Sequence, residues 1–221
     1  MTQEDKEKLK SWRLQKLEEC KQFPKYFYYF SFLDNLESII SNGILSKNEI
    51  TKKKINTKSF ADVDVQNYRK DKDFFITGSQ RKNLHDLVPL YFNSKTPTLY
   101  ARKDIQNQLF FLSINSKKLI TDMNINFAFT DGNATNRITK PYWKLDNLKN
   151  LNWEIINGQS WNDKQDGKRI RNSEFLIFPK IETKYIETIS CYDAPALLRI
   201  ATILKGKDLK IETIINKNLF F

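Results

Sequence analysis

Apolar residues in this chain of 221 come in short packets, and that brevity limits its architecture more than any other feature. No run approaches the roughly 18 apolar residues that a membrane-spanning helix needs. Segments 74–77, 109–114, 174–178 and 185–191 are each a few residues long and rich in β-branched or aromatic side chains. Polar residues bound every one of them, which predicts strands. The aromatic run 26–32 (YFYYFSF) has the same strand-like composition. Mixed short strands and short helices predict an α+β fold, with no internal repeat and no composition shift along the chain.

Helix signals lie between these strands. Residues 3–21 read as a helix with Leu9, Trp12, Leu17 and Cys20 on one stripe, capped by Thr2 with Asp5 and ended by Pro24. A short helix is expected from Asp34, with Glu37 completing a capping box, Leu36, Ile39 and Ile40 facing inward, and Gly43 as the stop. Residues 46–72 look like a long lysine-rich loop with one helical turn; in a compact domain a loop of that length is usually functional or mobile. Residues 130–150 are polar and irregular. Asp193 can cap a helix over 195–204 that stops at Gly206, and a last strand over 209–215 leads to an aromatic end.

Lys and Arg number 37 against 26 Asp and Glu, a net charge of +11 that favours polyanionic partners. The plain alternative is a basic but solvated surface. Two cysteines far apart, Cys20 and Cys191, and one histidine, His85, cannot build a zinc site of the usual Cys/His kind, so no metal is expected. The opening MTQEDKEKLK is charged and lacks the apolar stretch of a signal peptide; a soluble, reduced, cytoplasmic protein without membrane contact is expected. Walker, GxGxxG, GxSxG and HExxH motifs are all missing, and six glycines leave little material for a glycine-rich phosphate cradle.

Seven segments, in order, resemble those of DarT-type ADP-ribosyltransferases, the toxins of DarT–DarG toxin–antitoxin systems. They are YYFSFLDNLESIISNGIL (28–45), VQNYRKDK (65–72), LHDLVPLYFNSKTPTLYA (84–101), FAFTDGNAT (127–135), LNWEII (151–156), SWND (160–163) and RNSEFLIF (171–178). The resemblance implies a single ADP-ribosyltransferase-like domain over 23–221, with a split, mostly antiparallel β-core and short helices. Residues 1–22 remain as a helical extension. It also implies NAD as co-substrate and a base in single-stranded DNA, thymidine or guanosine, as acceptor. An RNA base as acceptor, or an inactive relative that only binds single strands, are the alternatives. The implied partner is an antitoxin such as a macrodomain ADP-ribosylglycohydrolase.

By the same resemblance the catalytic glutamate is Glu174 and the catalytic arginine Arg69. Breaking the nicotinamide–ribose bond generates an oxocarbenium-like sugar. A carboxylate there can stabilise the developing charge and act as base toward the acceptor. For Glu174 the plain alternative is a solvent-facing strand edge. Arg69 is always charged, which suits phosphate positioning better than proton abstraction. NAD contacts are implied at Tyr29, Phe30, Ser31, Ser38, Leu45 and Tyr91, with Tyr91 bordering the nicotinamide unless it is simply a core tyrosine. Residues 46–72 resemble the element that covers NAD, and 130–171 the element that recognises the acceptor. Tyr142, Trp143 and Trp161 with Lys168, Arg169 and Arg171 are the expected nucleic-acid contacts, aromatic rings for bases and cations for phosphates. His85 and Asp86 are expected to brace a turn before Pro89. Tyr29, Phe32 and Asn133 stand where many family members carry histidine.

Overall fold

The computed structural model describes residues 2–59 and 63–221; residues 60–62 of the expected loop lie outside them. Its strands are β1 (Tyr26–Phe32), β2 (Ile44–Leu45), β3 (Asp73–Ile76), β4 (Gln80–Asn83), β5 (Val88–Tyr91) and β6 (Leu109–Asn115). They continue as β7 (Asn126–Thr130), β8 (Pro141–Tyr142), β9 (Glu174–Phe178), β10 (Lys180–Ile181), β11 (Ile186–Cys191) and β12 (Glu212–Ile215). The helices are α1 (Gln3–Glu19), α2 (Leu36–Asn42), α3 (Lys47–Lys52), α4 (Val63–Lys70), α5 (Pro97–Tyr100) and α6 (Ser116–Thr121). Three more follow, α7 (Trp153–Asn157), α8 (Gly167–Arg171) and α9 (Ala194–Leu204).

Eight strands join in the order β12-β11-β6-β1-β5-β9-β7-β8, antiparallel throughout except for the parallel pair β11–β12. The fold is thus α+β, as expected. β6 reads LFFLSIN and is buried along nearly its whole length, the pattern of a strand covered on both faces. One face packs on α1, α2, α6, α7 and α9 through Leu17, Leu36, Ile120, Ile156 and Ile200 around Phe27, Phe127 and Phe175. The hairpin β3–β4 covers part of the other face, with Phe74 and Ile76 set against Ala128 and Leu176.

The sheet divides in its middle. β1 pairs with β6 from end to end, whereas β1 and β5 share a single register pair, Tyr28 with Tyr91. Pro89 contributes to this: without an N–H it cannot extend a ladder, so proline sits where a strand becomes an edge. Beyond Tyr28 the two strands diverge, and the core is split as the resemblance implied.

Several local expectations needed revision. α1 has its Thr2–Asp5 capping box but ends at Glu19, and its inward face is turned by one residue. Trp12 is exposed and Arg13 is buried in its place. Arg13 Nη1 donates to the carbonyls of Ile120 (2.7 Å) and Asp122 (3.3 Å), and its guanidinium lies over the Phe127 ring. Asp34 does not cap α2; it accepts ion pairs from Arg199 and Lys58. The loop expected over 46–72 carries two helices, α3 and α4. The last strand starts at Glu212 rather than 209, and β2, β4, β7, β8 and β10 gave no strand signal of their own.

Candidate active site

Glu174 opens β9, an interior strand flanked by β5 and β7, and is 3% exposed. A solvent-facing strand edge is therefore excluded. A buried carboxylate needs donors, and Glu174 has them. Its Oε2 accepts from Arg69 Nη1 at 3.0 Å, and its Oε1 from the same nitrogen at 3.3 Å and from the Ala134 N–H at 3.0 Å. Its own N–H donates to Thr130 Oγ1 across the sheet. Lys72 Nζ fixes the turn that carries Ala134 by donating to the carbonyls of Ala134 (2.7 Å) and Asn136 (2.8 Å).

Arg69 reaches this carboxylate from α4. Only one of its terminal nitrogens is used: Nη2 is buried and has no partner among the described residues. Two further cations or latent cations lie close by. Burial holds the Lys72 ammonium below its ordinary range; Arg69 pushes the same way and Glu174 opposes it. Burial likewise lowers His85, with Arg69 and Lys47 adding to the effect, and His85 Nε2 is also buried without a partner. At the turn before Pro89 the bracing falls to Asp86 rather than to the His85 side chain: Asn83 and Asp86 cap each other reciprocally and Asn48 donates to Asp86. One carboxylate thus faces two cations, Arg69 and Lys72, which leaves the pocket suited to an added anion.

The divergence of β1 and β5 opens a cleft. Every NAD-contact residue expected from the sequence lines it: Tyr29, Phe30 and Ser31 from β1, Ser38 from α2, Leu45 from β2 and Tyr91 from β5. Tyr91 links cleft and pair, because it is the register partner of Glu174 while its ring stacks on Phe30 at 5.7 Å. Burial and the Glu174 charge push the Tyr91 phenol up to about 12, so it stays protonated. The Thr98 hydroxyl donates to Asn172 Oδ1 at 2.9 Å. Hydroxyls of Ser31, Ser38 and Thr57 and the flat rings of Tyr29, Phe30 and Tyr91 make a lining that fits the ribose and aromatic parts of a dinucleotide.

Asn35, which no sequence signal singled out, holds the covering segment in place. Its Nδ2 donates to the Lys58 carbonyl (2.7 Å) and to Ser31 Oγ (2.9 Å), and its Oδ1 accepts from the Lys58 N–H (2.9 Å). The amide thereby pairs with residue 58 as a neighbouring strand would. Thr57, Lys58 and Ser59 form one wall of the cleft as a result.

The expected nucleic-acid residues divide into two groups. Tyr142 and Trp143 are half-buried at the sheet edge, against Phe129 and Phe75 respectively, and Lys168 is exposed. Trp161 and Arg171 require correction. Trp161 is 7% exposed and its ring meets Tyr100 and Phe221 edge-on. Arg171 is 3% exposed and donates to the carbonyls of Lys95, Ile155, Ile156 and Gly158; burial lowers its guanidinium to about 10. Both are interior braces with no face left for a ligand. Arg169 is largely committed as well, to Asp131, Asp166 and Thr139, and a Cβ at Gly132 would stand 2.2 Å from its Nη1.

The family model described as DarT, ssDNA thymidine ADP-ribosyltransferase, matches residues 28–221, and the chain belongs to that family. The DNA ADP-ribosyl transferase of Thermus sp. (strain 2.9) is 26% identical over 189 residues, 82% of this chain and 88% of the relative. Solved structures of Thermus sp. 2.9 DarT superpose with TM-scores of 0.80, in complex with ADP-ribosylated ssDNA, and 0.75, in complex with NAD+. Each covers 90% of this chain, with 97% and 98% of the solved chains matched at 24% and 22% identity. A DNA ADP-ribosyl transferase–DNA ADP-ribosyl glycohydrolase fusion protein of Thermosipho africanus is 26% identical over 193 residues; the match covers 86% of this chain and 48% of the fusion, so the chain spans about half of that relative.

Proposed function

We propose that this chain transfers ADP-ribose from NAD to a base of single-stranded DNA, with Glu174 and Arg69 at the reacting centre. The observation that carries the proposal is a buried carboxylate held by a guanidinium and a backbone N–H, whose register partner Tyr91 lines the split-sheet cleft. As the nicotinamide–ribose bond breaks, positive charge develops on the sugar carbon, and the Glu174 carboxylate stabilises it. The bond from that carbon to the acceptor nitrogen then forms while the acceptor's proton passes to Glu174. Arg69 keeps Nη1 on Glu174 and turns Nη2 to phosphate oxygens. Tyr91 borders the leaving group, and Tyr29, Phe30, Ser31, Ser38 and Leu45 hold the rest of the dinucleotide. Tyr142, Trp143, Lys168 and Arg169 face the acceptor strand.

Residues 23–221 form the transferase unit and 1–22 an extension. The family match starting at 28 supports that division. The partner is a glycohydrolase antitoxin, a pairing suggested by the Thermosipho fusion. No helix among the described residues is long and apolar enough to cross a membrane, and we take the protein to act in the cytoplasm.

The test is incubation with NAD and matched DNA and RNA single strands, read by mass spectrometry of the nucleosides. The expected product is one ADP-ribose on a deoxynucleoside, thymidine first. Glu174→Gln should lower the rate by about a hundredfold or more, as loss of one preorganised charge does. Modification by Glu174→Gln at the parent rate overturns the assignment, and transfer to RNA alone replaces the acceptor.

A further inference from the structure

An aromatic pair, one ring exposed and the other half-buried, stands near the site, and nothing in the chemistry above uses it as a pair. β3 alternates as a half-buried strand should: Phe74 and Ile76 point into the molecule, 4% and 0% exposed, and Phe75 points out at 45%. A phenylalanine on that outer face has no partner inside. Its ring lies instead against Trp143, centroids 5.4 Å apart and planes 43° from parallel. Across the hairpin its register partner is Arg81, whose side chain is exposed and also pairs with Asp73.

The position of this pair is informative. The Glu174 N–H donates to Thr130, the register partner of Thr130 on the next strand is Pro141, and Trp143 follows two residues later. Trp143 therefore lies two strand spacings from the carboxylate, about 10 Å across the sheet and about 7 Å along it. Phe75 follows Arg69 by six residues. The surrounding charge is positive: Arg137, Lys140 and Lys144 are exposed and have no ion pair among the described residues, while Asp73 is matched by Arg81. Rings partly open to solvent beside unmatched cations suit a strand whose bases are unpaired, because bases stack on the rings and phosphates meet the cations. A duplex keeps its base faces hidden.

We infer that Phe75 and Trp143 form a stacking platform, with Arg81, Lys140 and Lys144 as its phosphate contacts, that grips single-stranded nucleic acid beside the acceptor base. The inference builds on the proposed acceptor, but its test measures binding directly and needs no transfer.

The full chain without NAD is titrated with a fluorescent single-stranded DNA, the same strand as a duplex, and an abasic strand of equal length. Phe75→Ala and Trp143→Ala should each weaken single-strand binding by about five- to one-hundredfold, the range for removing one stacking ring. Phe75→Trp should retain binding, and the abasic strand should bind parent and variants alike. Equal single-strand affinity for parent and both alanine variants overturns the platform and leaves the patch to a protein partner. An equal loss on the abasic strand also overturns it, since the rings then act through folding rather than stacking. Failure of the proposed function shows separately: the parent would transfer no ADP-ribose to any strand, whatever the titration gives.

Discussion

Asn35 uses its side-chain amide to hold one peptide of a segment 23 positions further along. Net hydrogen bonds of this kind contribute about 1 kcal/mol each. Asn35→Ala should therefore raise the NAD KM by about ten- to thirtyfold while kcat changes by less than about threefold. Steady-state hydrolysis of NAD separates the two; a fall in kcat at unchanged KM would refute the holding role. His85 gives a second prediction. Burial and Arg69 hold its imidazole below its ordinary range, so below about pH 6.5 the unfolded chain takes up a proton that the folded chain resists. Stability is unaffected above that pH and falls as pH drops through the window below it. Melting temperature should decline from pH 7 to pH 5 more steeply in the parent than in His85→Gln. Glu174 and Arg69 could be singled out in the sequence because short motifs flank each of them, and the structure brings their side chains together. Asn35 lies inside one such motif, yet nothing there marks it, since an asparagine looks the same whether it meets water or a distant peptide.

At the scale of elements, the joint after α2 is tightly constrained. Gly43 has φ +79°, and a Cβ there would stand 2.5 Å from the Ile181 carbonyl, where β2 meets β10. Gly43→Ala should cost about 2 kcal/mol or more in unfolding free energy, since strain in the left-handed region adds to the clash. Denaturant titration checks this, and an unchanged midpoint would contradict the geometry. Elements with an apolar or aromatic signature were readable: β1, β6, β9, α2 and α9 lie within a residue or two of their expected places. β4 was not, because QRKN has no alternation and forms a strand only by pairing with β3. The side of α1 was misjudged because an arginine is not expected to face inward, and nothing local reveals the carbonyls of Ile120 and Asp122 that receive Arg13. Trp161 and Arg171 went the same way. Aromatic and basic residues in a loop look like ligand contacts until their internal partners are known.

Over the whole molecule, a net charge of +11 makes salt the main control on any nucleic-acid complex. For single strands the logarithm of affinity falls against the logarithm of salt by about 0.7 per phosphate neutralised. Removing Lys140 and Lys144 together should flatten that slope by about 1.4 if each meets one phosphate, measured by anisotropy over a salt series. An unchanged slope would show that neither does. Arg69 and Glu174 also have a mechanical consequence. Of the α4 side chains from Asp64 to Lys70, Arg69 is the buried one; its neighbours face solvent or are half-covered. The ion pair is thus a tether that docks this helix on the sheet, beside the bond from Asn83 Nδ2 to the Lys70 carbonyl. Because β9 is an interior strand, mild denaturant should release the tethered helix while the sheet still stands, silencing the enzyme before it unfolds.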